Sequence, residues 1–222
     1  MAIVNRLRIL VIGATGMAGS AISNEALARG HSVIGASRSR PESDRLESMA
    51  HHVLLDAREP STIVGALKGI DVIVLAGRPT SGNEMDIVPM THNVLQAAAS
   101  LQLRVVVVGG AGALKVPGDP ESRLVENDEF VPLEWKSVAR ASLAQLAVCY
   151  SFPDGNWVYL SPSAQFEPGQ GSNAVVRGGD ELLVSSSGVS RITSADLAIV
   201  ACDEIDKPTG LRHVTAMSDA PA

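Results

Sequence analysis

The chain has 222 residues, which is long enough to enclose one hydrophobic core, and we predict a single domain over residues 1–222. Its 18 Lys and Arg residues stand against 24 Asp and Glu residues, a net charge of −6, and this balance argues against nucleic-acid binding. No apolar run approaches the roughly 20 residues of a membrane helix, and the start of the chain lacks the features of a signal peptide. We therefore expect a cytoplasmic protein.

Three glycines with the spacing G-x-x-G-x-x-G follow the first predicted strand, residues 7–12, and a predicted helix over residues 20–29 follows the glycines. A strand, a glycine turn and a helix N-terminus in this order make a pyrophosphate site. Bare glycines let the backbone approach phosphate, and the free N–H groups and the helix dipole favour its negative charge. The residues predicted to contact pyrophosphate are Gly13, Thr15, Gly16 and Met17.

Apolar strands continue to alternate with helical segments up to residue 160. The predicted strands are residues 32–36, 52–55, 71–75, 103–108 and 156–160, and the predicted helices are residues 61–67, 86–100 and 133–150. Strands this apolar, separated by helices, predict a Rossmann-like, doubly wound parallel sheet with helices on both faces, an α/β fold of three layers.

The C-terminal part, residues 161–217, is richer in Gly, Ser and Pro, and we interpret it as a small substrate lobe built on the same sheet. Its predicted elements are strand-like pieces at residues 174–177 and 182–185, a helix over residues 194–205 and a last strand over residues 211–217. Ser194 is the predicted N-cap of the helix.

The end of the second strand indicates which nicotinamide cofactor is preferred. An acidic residue about 20 positions after the glycine loop binds the ribose hydroxyls of NAD, whereas an arginine there accommodates the 2′-phosphate of NADP. This chain offers Ser37, Arg38 and Arg40 instead of a carboxylate. We predict that Ser37 and Arg38 select NADP(H) over NAD(H); the alternative is that both arginines are ordinary solvated loop residues.

The carboxyl ends of the later strands supply further candidate contacts, because ligands of such sheets lie beyond these ends. Asp56 either accepts a hydrogen bond from adenine or caps the next turn. Residues predicted to flank ribose and nicotinamide are Ala76, Gly77, Gly109 and Gly110. Residues predicted to line the nicotinamide face are Ser161, Pro162 and Ser163, although the Ser161-Pro162 pair also serves simply to end a strand.

No metal site is predicted. Cys149 and Cys202 lie far apart in apolar helical stretches, so we expect buried free thiols. His51 and His52 are adjacent and would point to opposite faces of a strand, without partners at the spacing of metal ligands.

Five segments of the chain carry a resemblance to known proteins. They are GATGMAG at residues 13–19, VVGGAG at 107–112, LSPS at 160–163 with Phe166 and Pro168-Gly169, GVS at 188–190 with Ile192, and SADLA at 194–198. Together these segments resemble the atypical, extended-type short-chain dehydrogenase/reductase superfamily. More narrowly, the chain is similar to its NAD(P)H-binding, NmrA-like group, which includes NADH–flavin reductases and biliverdin reductase B/flavin reductase.

One feature of that superfamily is missing. Many short-chain dehydrogenases use a Tyr-x-x-x-Lys pair on the helix after the fifth strand, where the tyrosine is the acid–base group. Lys136 is present, but Pro132 stands four residues before it, and Tyr150 is followed at the fourth place by Asp154. We therefore name no catalytic residue.

This absence suits a flavin or quinone acceptor, because such a ring takes hydride at one atom and a proton from solvent. The resemblance thus implies NAD(P)H-dependent hydride transfer to a small planar acceptor such as a flavin, by a monomer or small homo-oligomer. One alternative is an NADP-sensing, NmrA-like regulatory protein without turnover. A second is a nucleotide-sugar epimerase- or dehydratase-like enzyme, against which the missing pair and the short lobe argue.

Overall fold

The computed structural model describes residues 6–39, 51–128, 130–172 and 174–218. Its strands are β1 (Arg8–Ile12), β2 (Ser32–Ser37), β3 (His51–Leu54), β4 (Val72–Leu75), β5 (Arg104–Val108), β6 (Lys115–Val116), β7 (Asp119–Arg123), β8 (Trp157–Ser161), β9 (Gln165–Glu167), β10 (Val175–Gly178), β11 (Arg191–Thr193) and β12 (His213–Ser218). Its α-helices are α1 (Met17–Ala28), α2 (Pro60–Ala66), α3 (Ile87–Ser100), α4 (Lys136–Tyr150) and α5 (Ser194–Asp206).

The largest sheet in the described part of the chain has eight strands in the order β10-β12-β8-β5-β4-β1-β2-β3. Neighbouring strands run parallel, except that β10 is antiparallel to β12. From β1 the chain moves outward to β2 and β3 and then crosses back to β4 on the other side of β1. This order confirms the predicted Rossmann-like fold. The strand order reverses between β1 and β4, which is where such sheets bind their ligands.

Both faces of the sheet are buried, as the apolar strands predicted. Leu10 and Ile12 of β1 share one hydrophobic cluster with residues of α2, α3 and α4. Ile9 and Val11, which point to the opposite face, share a second cluster with residues of α1 and α5. The result is the predicted three-layer arrangement. No helix in the described ranges is long and apolar enough to cross a membrane.

The short strands depart from prediction in two ways. The prediction of a strand at residues 182–185 is wrong. Leu182 instead packs into a small buried cluster with Leu114 and Leu124, and Glu181, just before it, makes an isolated bridge to Lys115. Four short strands were not predicted, namely β6, β7, β9 and β11. They have two to five residues each, too few to show a clear alternation of apolar and polar side chains.

The start of α1 and the N-cap of α5 differ from those expected. Helix α1 starts at Met17, three residues before the predicted start, with Gly16 as its N-cap and Gly19 in its first turn. The N-cap of α5 is Thr193 and not Ser194: the Thr193 Oγ1 accepts a hydrogen bond from the backbone N–H of Asp196 at 3.1 Å. Helix boundaries commonly shift by one or two residues in this way, since neighbouring Ser and Thr residues are both good caps.

The reactivity of the two cysteines tests whether they are buried in the folded protein. Both are free and buried, and burial raises the pKa of the Cys149 and Cys202 thiols to about 12. We expect neither thiol to react with a disulfide reagent at pH 8 in the folded protein, and both to react in denaturant. Because these pKa values are raised on folding, the thiols contribute stability that is lost as the pH rises above about 8.5, the pKa of a free thiol. Rapid reaction of the native protein would contradict this burial.

Candidate dinucleotide-binding site

The glycine loop is a tight turn held against the end of β2. The backbone N–H of Gly13 donates to the carbonyl of Ala36 at 2.8 Å, and the N–H of Gly16 donates to the carbonyl of Gly13 at 3.0 Å. Gly13 has a φ of 87°, a conformation that favours glycine. A Cβ atom there would lie 2.6 Å from the carbonyl oxygen of Ala76, so the loop also packs directly on the end of β4.

Gly19 lets the first turn of α1 pack on this loop. A Cβ atom on Gly19 would lie 2.2 Å from the carbonyl oxygen of Gly13, which no real contact allows. At Gly16, a Cβ atom would be 3.3 Å from the same oxygen. The G-x-x-G-x-x-G spacing therefore has a direct steric cause in this fold.

The N-terminus of α1 faces the crevice at the carboxyl ends of β1 and β4. Gly16 is the N-cap, with extended backbone and no side chain that caps the helix. The first backbone N–H groups of a helix have no acceptor within it and carry the positive end of the helix dipole. Met17 is the first helical residue and is 37% exposed. This arrangement suits the pyrophosphate contacts predicted for the loop.

The end of β2 carries the residues predicted to select NADP. The Ser37 hydroxyl lies 2.8 Å from Nε2 of His52 on the neighbouring strand β3. Arg38 is exposed, and its charge lies close enough to Asp56 to help lower the pKa of that carboxyl. Arg40 lies outside the described residues. Ser37 and Arg38 thus stand at the same edge of the sheet as the glycine loop, and phosphate selection by them stays a prediction.

Asp56, after β3, is paired with an arginine that the sequence analysis did not select. The Arg58 guanidinium holds both carboxylate oxygens, with Nη2 at 2.6 Å from Oδ2 and Nε at 3.0 Å from Oδ1. These hydrogen bonds lower the pKa of Asp56 below its ordinary value. The backbone N–H of Arg58 also donates to Oδ1 at 3.0 Å, which is the turn-capping role considered above. The adenine contact stays a prediction.

Arg58 extends this pair towards α3. Its Nη1 lies 3.4 Å from Oδ2 of Asp86, which precedes the helix. Two carboxylates thus balance the charge of Arg58, which lies after β3, next to the strand end that carries Arg38. The sequence could have identified Arg58, because it lies two residues after Asp56 and a single turn brings the two side chains together.

The end of β4 closes the other side of the crevice. The backbone N–H of Ala76 donates to the carbonyl of Ile12 at 2.9 Å, which keeps β4 beside β1 beyond the last paired residues. A Cβ atom on Gly77 would lie 3.0 Å from Cε of Met90 in α3. Ala76 and Gly77 are partly exposed, and their backbone lies next to Gly13 of the glycine loop. Their contact with ribose stays a prediction.

The end of β5 is a glycine turn supported from behind by β8. The backbone N–H of Gly109 donates to the carbonyl of Leu160 at 2.9 Å. A Cβ atom on Gly109 would lie 1.9 Å from Cζ of Tyr159, because the buried tyrosine ring fills the space beneath the turn. Both Gly109 and Gly110 are partly exposed on their other side.

Ser161, Pro162 and Ser163, at the end of β8, were predicted to line the nicotinamide face, and all three are buried. The Ser161 hydroxyl donates to the carbonyl of Gly110 at 3.1 Å and lies 2.8 Å from Nε2 of His213. The Ser163 hydroxyl donates to the carbonyl of Ala216 at 2.9 Å. Both hydroxyls thus bind protein groups. Their direct contact with nicotinamide stays a prediction, and His213 is a residue that the sequence analysis missed.

Lys136 and Tyr150 lie at opposite ends of α4. The Lys136 Nζ donates to the carbonyl of Val125 at 2.8 Å and pairs with Asp128 at 2.7 Å. Tyr150, at the last residue of the helix, packs edge-on against Trp157, the first residue of β8. Because α4 runs from the carboxyl to the amino edge of the sheet, Tyr150 is far from the crevice.

Known proteins share this fold. A family model described as NAD(P)H-binding matches residues 13–208. YwnB, an uncharacterized protein of Bacillus subtilis strain 168, is 30% identical over 211 residues, 91% of this chain and 93% of that protein. A crystal structure from Streptococcus pneumoniae TIGR4, provisionally described as an NADH-flavin reductase, is 27% identical with a TM-score of 0.82, covering 96% of this chain and all of that one.

A second crystal structure, from Bacteroides thetaiotaomicron and provisionally described as an epimerase, is 26% identical with a TM-score of 0.84. It covers 98% of this chain and all of that one. The residues present fit a dinucleotide, since side chains at Gly13 or Gly19 would fill the loop on which its phosphates would lie. These matches confirm the resemblance to the atypical short-chain dehydrogenase/reductase group. The chain belongs to the NAD(P)H-binding family.

Proposed function

We propose that the protein is an NADPH-dependent oxidoreductase that transfers hydride to a small planar acceptor such as a flavin. The observation that carries this proposal is the side-chain-free cradle of Gly13, Gly16 and Gly19 at the switch point between β1 and β4, with Arg38 at the adjoining strand end. A solved relative described in terms of NADH and flavin supports the choice of acceptor.

When bound, the reduced nicotinamide supplies the hydride, and the chain binds and orients the two reactants. Backbone N–H groups of the glycine loop would bind pyrophosphate, Ser37 and Arg38 the 2′-phosphate, and Asp56 the adenine. The turns after β4 and β5 would flank ribose and nicotinamide. Orientation of two rings at short range is itself a large catalytic contribution, so this arrangement needs no protein acid at the hydride step.

Arg38→Ala is expected to weaken NADP(H) binding and to leave NAD(H) binding nearly unchanged. An arginine–phosphate hydrogen bond contributes roughly 1.5–3 kcal/mol, so the loss for NADP(H) is about 10- to 150-fold. Calorimetric or fluorescence titration of both cofactors measures the ratio. Lys207→Ala, which removes an exposed cation after the last residue of α5, is the matched control. Equal affinities of wild type and Arg38→Ala for both cofactors would contradict NADP selection.

Turnover tests the acceptor. Purified protein is mixed with NADPH and, in separate reactions, FMN, FAD and a benzoquinone, and loss of NADPH absorbance is followed. We expect steady oxidation with at least one of these rings and a KM for NADPH below that for NADH. Tight NADPH binding without oxidation by any of them would contradict the proposed enzyme and favour the alternative, an NADP-sensing protein.

The relative described as an epimerase favours a nucleotide-sugar enzyme as the second candidate. In that reaction the cofactor is recycled, so product would form from a nucleotide-linked sugar with no net loss of NADPH. Chromatography of such a mixture separates the two candidates. We further propose a cytoplasmic, monomeric or small homo-oligomeric protein; its two buried free thiols suit a reducing compartment.

A further inference from the structure

A buried hydrogen-bonded pair lies behind the turn at the end of β5. Ser161, the last residue of β8, and His213, the first residue of β12, are 0% and 6% exposed. The Ser161 Oγ lies 2.8 Å from Nε2 of His213 and 3.1 Å from the carbonyl oxygen of Gly110. His213 is level with Tyr159 in the register of the two strands, and the two rings pack edge to face.

The proton count assigns a direction to this chain of hydrogen bonds. A serine hydroxyl has one proton, and the Gly110 carbonyl is only an acceptor. Ser161 therefore donates to Gly110, and Nε2 of His213 donates to Ser161. This requires the neutral tautomer with its proton on Nε2. Burial lowers the pKa of His213 to about 4, which keeps the ring neutral near pH 7.

Gly110 is held at its N–H as well as at its carbonyl. The N–H lies 3.4 Å from the Tyr159 hydroxyl, which itself donates to the carbonyl of Ser142 at 2.8 Å. The Tyr159 ring also occupies the space beneath Gly109. Side chains of β8 and β12 thus determine the orientation of the peptide groups on both sides of Gly110, while the opposite side of the turn is partly exposed.

His213 holds this position at an energetic disadvantage. Its Nδ1 has no hydrogen-bond partner among the described residues, and the same is true of Oγ1 of Thr215, two residues along the strand. A buried polar atom without a partner lowers stability, and an apolar side chain would avoid this loss. The hydrogen bond that offsets it is the one between His213 and Ser161.

We propose that Ser161 and His213 are positioning residues that act on the nicotinamide end of the cofactor through the Gly109–Gly110 turn. They hold the turn from behind, in the orientation in which its exposed side meets the ring. The inference rests on the part of the proposed function that places nicotinamide at the carboxyl ends of β5 and β8, and it is independent of the acceptor.

The test compares two ligands that differ in the nicotinamide. NADPH and 2′-phospho-ADP-ribose share the adenosine, phosphate and ribose groups, and only NADPH reaches the Gly109–Gly110 turn with a ring. Binding of each is titrated to wild type, Ser161→Ala, His213→Leu and His213→Gln. We expect Ser161→Ala and His213→Leu to weaken NADPH binding about 3- to 10-fold, the effect of one hydrogen bond, and 2′-phospho-ADP-ribose binding less than about twofold.

His213→Gln should recover most of the NADPH affinity, because its amide nitrogen can take the place of Nε2 and donate to Ser161. Thr215→Val is the matched control, since it removes a buried hydroxyl that has no hydrogen-bond partner in the described part of the chain. It should bind both ligands as wild type does. Thermal unfolding of each variant checks that the fold is retained.

Three results would overturn the inference. Equal weakening of both ligands would show a general structural effect, and unchanged NADPH binding in Ser161→Ala and His213→Leu would show no effect at all. If wild type bound 2′-phospho-ADP-ribose as tightly as NADPH, the nicotinamide ring would contribute nothing to binding, and its placement at this turn would be wrong. Absence of NADPH oxidation would contradict the proposed reductase alone, because the affinity ratio is measured without turnover.

Discussion

Replacing Gly19 by alanine is expected to weaken NADPH binding by about 100-fold or more and to destabilise the protein. The added Cβ would lie 2.2 Å from the carbonyl oxygen of Gly13. No side-chain rotation can relieve this clash, because the positions of both atoms are fixed by the backbone. The loop must shift, and each N–H bond to phosphate that is lost costs about 1.5–3 kcal/mol. Overpacking itself lowers the free energy of unfolding by about 1–3 kcal/mol.

Gly65 provides the matched control, because it is also a helical glycine but has nothing within 4 Å of the position of an added Cβ. Gly65→Ala should leave NADPH binding unchanged and raise the free energy of unfolding by up to about 1 kcal/mol. Gly16→Ala, with a contact at 3.3 Å, should fall between the two. Titration and urea denaturation measure both effects. Wild-type affinity in Gly19→Ala would show that the loop does not hold the cofactor.

Arg104→Met is expected to lower the free energy of unfolding by about 3–5 kcal/mol, because it leaves a buried carboxylate without its partner. The Arg104 Nη2 lies 3.0 Å from Oε2 of Glu204, whose side chain is 3% exposed, and its Nε donates to the Glu204 carbonyl at 3.1 Å. Burial lowers the pKa of Arg104 even beside this carboxylate, which indicates how strongly the pair is desolvated. The pair joins the start of β5 to α5, at the edge of the sheet opposite the crevice.

The double variant Arg104→Met/Glu204→Met separates the lost pair from lost packing. Two apolar side chains remove both charges, so we expect the double variant to be more stable than Arg104→Met. Urea denaturation gives the three free energies of unfolding, and NADPH affinity should stay within about twofold of wild type in both variants because the crevice is at the other edge. A double variant less stable than the single one would show that the arginine acts through packing.

Local sequence predicted those parts of the molecule whose cause is local. The β1 strand, the glycine loop and helix α1 follow one another within residues 8–28, so spacing predicted their order, although α1 begins three residues earlier than expected. Strands such as β5, buried on both faces, are continuous apolar runs and were found within one residue of their ends. Short strands such as β9 and β11 escaped prediction, because each is held by pairing with a segment more than twenty residues away.

The candidate site also has parts that the local sequence determined and parts that only the tertiary structure decided. Residue types and spacing by themselves determined the cofactor class, the Rossmann-like fold and the strand ends that carry Gly13, Arg38 and Gly109. Only the tertiary structure decided which side chains support them: the β8–β12 register brings His213 to Ser161, and the turn after β3 closes Arg58 on Asp56. The physical reason is that a glycine turn depends on its own backbone, whereas a hydrogen bond across strands depends on register, which is set by packing of the whole sheet.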